Sequence, residues 1–230
     1  MTGLPWLSTD NVAPSRRARL VIDGLSGGST ACRVNHLCHD STVWARWRRL
    51  SLSPSSDVLY HQGSALRVRR SVGVIDASER LSFMVTGPAG GTFWQHGNQR
   101  LFGDDLILVD LTAPYDYRAG AGTRSSFQID IGALGVGLQY ARYAASMLRS
   151  SPLYETARDH VRAVAAQTTM SDLDRLALID VASATADLLA ALLLSCVIPQ
   201  VGDPSVRHLP APPSSPLDRG VHSIAATQAG

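Results

Sequence analysis

The chain contains no lysine, and all 21 of its basic residues are arginine. It has two glutamates, Glu79 and Glu155, so paired-carboxylate acid/base chemistry would have to rest on aspartate. Asp104, Asp105, Asp110 and Asp116 cluster near turns, where Asp serves turn geometry as readily as catalysis. Cysteine is scarce and odd in number, namely Cys32, Cys38 and Cys196, which argues against a disulfide framework. The first twenty residues hold Pro5, Asp10, Pro14 and the Arg16-Arg17 pair but no apolar signal core, so a cytoplasmic location is expected. The longest apolar run, Leu188 to Ile198, includes Ser195 and Cys196. It falls short of the ~20 residues that span a bilayer, and a buried helix end is expected there, without membrane association. A net charge of +2, spread over scattered arginines, is too small to supply the counterion release on which nucleic-acid affinity mainly rests.

Hydrophobic residues make up 45% and charged residues 17% of the 230 residues, which is the balance of a chain that folds around a core. Residues 1–19 show no period and read as a flexible arm. From 20 to 131, short apolar stretches alternate with Gly, Pro, Asp and Asn, the punctuation of strands and turns. Strands are expected at 42–50, 57–62, 65–74, 80–86, 91–95, 99–101, 105–110, 115–118 and 125–131. Within the first, Val43, Ala45, Trp47 and Arg49 alternate with Trp44, Arg46, Arg48 and Leu50, and Arg67-Val68-Arg69-Arg70 reads as the solvated face of another. His96-Gly97-Asn98 reads as a tight hairpin turn. Many short strands at this spacing predict a closed antiparallel barrel or jelly roll, because closure removes exposed edges.

After residue 131 the period changes. Residues 132–198 read as a helical region with helices at 140–149, 152–167 and 171–198, the last capped by Ser171 with Asp172 and Asp174 in its first turn. That helix carries two stripes, one with Leu173, Leu176, Asp180, Asp187 and Leu188, the other with Leu178, Val181, Thr185, Leu189 and Leu192. A helix apolar on two sides packs against its own domain with one and a partner with the other. Val181, Leu188, Leu189 and Leu192 are the expected pairing residues. Six prolines in 199–230 predict a disordered tail. The fold class expected is therefore α+β, an N-terminal antiparallel barrel followed by helices.

Cys32, His36, Cys38 and His39 are donors of metal-binding type in close sequence, but their spacing fits no familiar zinc site. No metal or other cofactor is expected. A catalytic cupin-type barrel would present two nearby histidines and a glutamate, and His61 and His96 stand apart. Aromatic and imidazole rings at a barrel mouth favour a ligand pocket, which makes Trp44, Trp47, His61, Trp94 and Tyr115 the candidate ligand-binding residues.

The run from Trp94 to Tyr115 combines a Gln95-His96-Gly97 hairpin, a Gly103-Asp104 turn, the apolar strand Leu106 to Val109, then Asp110 and Pro114-Tyr115. It resembles the end of the N-terminal barrel of AraC-family (AraC/XylS) transcription regulators, and residues 20–198 resemble that domain more loosely. The resemblance implies a cupin-like effector-binding barrel with trailing dimerisation helices. In that family a helix-turn-helix pair follows, whereas 199–230 hold too many prolines for one. The expectation is a non-enzymatic sensing and pairing module, with a small-molecule effector, a homodimer or a heterodimer with a full-length regulator, and no direct DNA binding. The alternative is a small cupin-like metalloenzyme using Cys32, His36 and His39.

Overall fold

The computed structural model describes residues 6–26, 32–71, 79–167 and 173–196. Eleven described strands form two antiparallel sheets that face each other as a jelly-roll-type barrel. Strands β1 (Leu7–Ser8), β3 (Ala45–Ser53), β4 (Ser56–Gly63), β11 (Gly122–Asp130), β6 (Arg80–Thr86) and β9 (Leu106–Asp110) make the larger sheet in that spatial order. The smaller sheet runs β2 (Arg33–His36), β5 (Leu66–Arg70), β10 (Tyr115–Ala119), β7 (Gly91–Gln95) and β8 (Asn98–Phe102). Helices α2 (Ile131–Leu134), α3 (Leu138–Ala144), α4 (Tyr154–Ala166) and α5 (Arg175–Cys196) follow the barrel. The α+β expectation is met in its described parts.

The period-two alternation of the strands divides the larger sheet into two working faces. Leu81, Phe83 and Val85 of β6 and Phe127 and Ile129 of β11 join the main core beneath α4 and α5. Their neighbours Ser82, Met84, Arg124, Ser126 and Gln128 turn into the barrel. Strand β9 is buried along its whole length: Leu106 and Leu108 pack with the helices, while Ile107 and Val109 belong to a second core inside the barrel.

The flexible arm expected over 1–19 is not what residues 6–26 form. Strand β1 pairs with β3, Leu7 opposite Trp47, and α1 (Pro14–Ser26) buries Ala18 and Val21 against Val43, Ala45 and Trp47. The expected boundary at residue 20 therefore falls inside a helix. Gly24 is what lets α1 lie this close, since a Cβ there would meet Trp47 Cζ2 at 2.5 Å. The β7–β8 hairpin turns on His96 (φ 51°) and Gly97 (φ 78°), with Gln95 paired to Asn98. His96, rather than Asn98, thus supplies the second positive φ of this two-residue turn. Helix α2 is too short to show a period in the sequence.

Asp110, at the end of β9, ties the barrel to the helices. Its Oδ2 accepts from Arg142 Nε of α3 at 2.7 Å and lies 3.0 Å from His96 Nε2, and its Oδ1 accepts from the backbone N–H and hydroxyl of Thr112. Burial pushes this carboxyl up, but the Thr112 and Arg142 hydrogen bonds outweigh it and hold the group below its ordinary range. Asp110→Asn keeps the shape and removes the charge. Charge-assisted bonds to a buried carboxylate are worth about 1.5–3 kcal/mol, and urea denaturation of this variant should show a stability loss of that order.

Helix α5 is capped by Asp174, whose Oδ1 accepts from the Ala177 N–H at 2.8 Å. Ser171 and Asp172, expected in that role, lie outside the described residues, as do 199–230 and their expected disorder. Leu189 and Leu192 are completely buried in this chain's own core, together with Thr185, and Val181 packs partly against it. These expected pairing residues therefore hold α5 onto its own barrel, with Val181 and Leu188 half-buried at the margin of that face. The stripe left outside carries Leu176 and Leu194 (73% and 52% exposed), with Asp180, Ala184 and Asp187 between them. By length and composition alone, with mean hydropathy 1.9, α5 could cross a membrane.

Candidate functional site

Inside the barrel lies a cavity of about 120 Å³, walled by Leu59, Leu66, Val68, Met84, Val109 and Leu111, and bordered by Leu25 at the end of α1 and by Cys32. Into this mostly apolar space project His61, Tyr115, Tyr117, Arg124, Ser126 and Gln128. None of the described residues that line it is an Asp or a Glu.

Arg124 of β11 lies directly across from His61 of β4. Its Nη1 is 2.8 Å from His61 Nδ1, and its Nη2 donates to the Gly120 carbonyl. A guanidinium can only donate, so Nδ1 accepts and the imidazole proton sits on Nε2. Burial, then the positive charges of Arg124 and His36, push the His61 pKa down to about 3. The ring is therefore neutral at pH 7, with a buried Nε2–H that has no acceptor among the described residues. Arg124 Nε and Gln128 Oε1 are likewise buried without a partner. Buried polar atoms are nearly always satisfied, so several orphans gathered round one cavity call for a hydrogen-bonding occupant.

Of the expected ligand-binding residues, His61 and Tyr115 line the cavity. Trp47 does not, because it is buried between β3 and α1. Trp44 precedes β3 and is 41% exposed, and Trp94, 43% exposed, alternates outward next to the inward Phe93 of β7. Sequence reasoning missed Arg124, Ser126 and Gln128. Their alternation with Phe127 and Ile129 was visible, but the apolar half of β11 faces helices rather than the barrel interior.

The metal-type donors do not meet. Cys32 Sγ points at the Leu25 carbonyl (3.9 Å), His36 Nε2 at the Ala18 carbonyl (3.3 Å) and the His39 ring at the Ser41 hydroxyl (2.8 Å). No group of three His, Cys, Asp or Glu side chains converges among the described residues. Gly24-Leu25-Ser26-Gly27-Gly28 has the spacing of a hydrolase nucleophile elbow, yet Ser26 closes a helix rather than a strand-to-helix turn.

No protein-family model and no curated protein matches the chain. Among solved structures, the AraC-like transcriptional activator CuxR aligns over 83% of this chain and 69% of its own, with TM-score 0.62 and 9% identity. KdgF from Halomonas sp. aligns over 37% of this chain and 78% of its own (TM-score 0.29, 9% identity). A cupin-2 domain from Rhodospirillum rubrum aligns over 43% and 69% (TM-score 0.28, 8% identity). At 9% identity, the likeness to the AraC-like activator is one of fold alone.

Proposed function

We propose that the chain is a non-catalytic, cytoplasmic sensing module, in which a small molecule held inside the barrel biases pairing through the outer stripe of α5. The observation that carries this reading is the mostly apolar cavity whose buried polar atoms lack partners among the described residues. The likeness in fold to an AraC-like activator supports a regulatory setting. In this reading the α5 stripe around Leu176 and Leu194 meets a second copy or a related regulator, not a lipid bilayer. Two aspartates on that stripe favour a partner protein over lipid. A ligand shifts only states that it binds unequally. The link to pairing would therefore run through α1, whose Leu25 borders the cavity, and β3, which packs against both α1 and α5.

The test is thermal denaturation of the purified chain with a panel of single-ring and short-chain alcohols, amides and carboxylates. A ligand at about 100 times its Kd adds about 2.7 kcal/mol of stability, so a binder should raise the melting temperature clearly. Ser126→Leu, which fills the cavity from β11, should abolish the rise. No response to any compound, or an equal response in the filled variant, would sink the reading.

A further inference from the structure

The outer face of the smaller sheet is basic on one side and apolar on the other. One row across it runs Arg33, Arg69, Asp116 and Trp94, each opposite the next on the neighbouring strand. The adjacent row runs Arg67, Arg118, Thr92 and Leu101. On β2, β5 and β10, four arginines therefore share one acid. Arg67 takes the Asp116 carboxylate, while Arg69 and Arg118 stand 3.8 and 3.9 Å from it with 54% and 52% of their side chains exposed. Arg33 is exposed and, among the described residues, unpaired. On β7 and β8, Trp94 and Leu101 are 43% and 80% exposed.

Helix α5 lies on the other side of the barrel, packed over the larger sheet, and its outer stripe has the opposite charge. Asp180, Asp187 and Leu194 are exposed at intervals of seven residues, which keeps them on one helix face. Neither aspartate has an ion-pair partner among the described residues. Ser183, Ala184 and Ala191 are the exposed residues between them, small enough for a bulky surface to come close. Seven residues of helix rise about 10.5 Å, and two strand spacings cover about 9.6 Å. A helix laid across the strands with Asp180 at Arg33 of β2 therefore brings Asp187 to Arg118 of β10. Leu194, about 21 Å along the helix, then meets Leu101 of β8, about 19 Å across the sheet.

We infer that the outer stripe of α5 seats across the outer face of the smaller sheet of a second copy, an inference that rests on the pairing just proposed. Opposite charges across an interface fix its register and exclude wrong partners, and Trp94 and Leu101 bury the apolar end of the stripe. A single-stranded nucleic acid fits this face less well, since it would find one stacking ring and a chain of net charge +2. The two surfaces lie on opposite sides of one chain, so the contact is head-to-tail and does not close at two copies.

The experiment is light scattering on the full chain over a range of concentrations, with Arg118→Glu and Asp187→Arg made separately and then mixed. The parent should pass the mass of a dimer as concentration rises. Each variant alone sets like charges against each other and should associate roughly tenfold more weakly or worse, with a melting temperature near the parent's because both positions are exposed. Mixing the two should restore association, because the helix of either variant then faces opposite charge on the sheet of the other. Arg33→Glu with Asp180→Arg is a second pair that should behave alike if one of the first does not fold. No recovery on mixing, or Arg118→Glu at the parent's mass, would overturn the inference. If Leu194→Ser still weakens association in that case, the pairing reading survives with another partner surface. A parent that stays monomeric at every concentration would remove both. Capture of a fluorescent single-stranded oligonucleotide or of anionic vesicles through Arg118, with the mass unchanged, would give the face to nucleic acid or lipid instead.

Discussion

Lowering the pH from 6.5 to 4.5 is expected to cost the folded chain about 2 kcal/mol through His61 alone. In the fold this pKa lies near 3, whereas in the unfolded chain it returns to the ordinary value of about 6.5. Between those values the unfolded state binds the extra proton. Stability therefore rises with pH across that window and falls on acidification, at up to about 1.4 kcal/mol per pH unit. His160, which lies 2.9 Å from the Thr185 hydroxyl and is also depressed by burial, adds a slope of the same sign. The carboxylates act elsewhere. For Asp57, Asp105 and Asp110, burial raises the pKa but hydrogen bonds and arginines outweigh it, so the net position is below the ordinary carboxylate value. What they contribute is present above about pH 4 and is lost only below it. Urea denaturation of the parent and of His61→Gln at the two pH values separates these sources. The glutamine can accept from Arg124 and does not titrate, so the variant should lose most of the slope. An identical acid loss in both proteins would mean that the His61 ring is not buried beside Arg124 as described.

The second large effect divides α5 by face. Leu189 is fully buried beneath the helix, and Leu194 is half exposed on its other side. Leu189→Ala removes three carbons from a packed core and is expected to cost about 2–5 kcal/mol. Leu194→Ser lies at the surface, where substitutions stay within about 0.5 kcal/mol, and should leave the melting temperature nearly unchanged while reducing the pairing measured by light scattering. Normal stability of Leu189→Ala would show that the expected pairing face had been right after all. Unchanged mass of Leu194→Ser together with a Leu176→Ser exchange would remove the outer stripe from the pairing model.

Legibility in the sequence followed the length of each signal. The turn residues around Gly97, Gly103-Asp104 and Pro114 marked β7 to β10 to within a residue or two, and β6 and β7 fall where the alternation puts them. Helix α1 was missed because its polar, arginine-rich half resembles a loose lead. Its buried contacts, Ala18 and Val21, acquire meaning only against Val43 and Trp47. The site was half legible. His61 and Tyr115 could be picked as polar rings on strands, but the tryptophans chosen with them pack elsewhere or face solvent.

What the sequence alone determined is the grammar: an antiparallel barrel, then helices, with little free charge and residue pairs alternating along every strand. The tertiary structure decided which member of each pair faces the cavity. Alternation separates two faces but does not orient them, and here both faces of the larger sheet are covered, one by helices and one by the opposite sheet. The larger apolar groups, Phe83 and Phe127, went beneath the helices. That left Arg124, Ser126 and Gln128 to the interior.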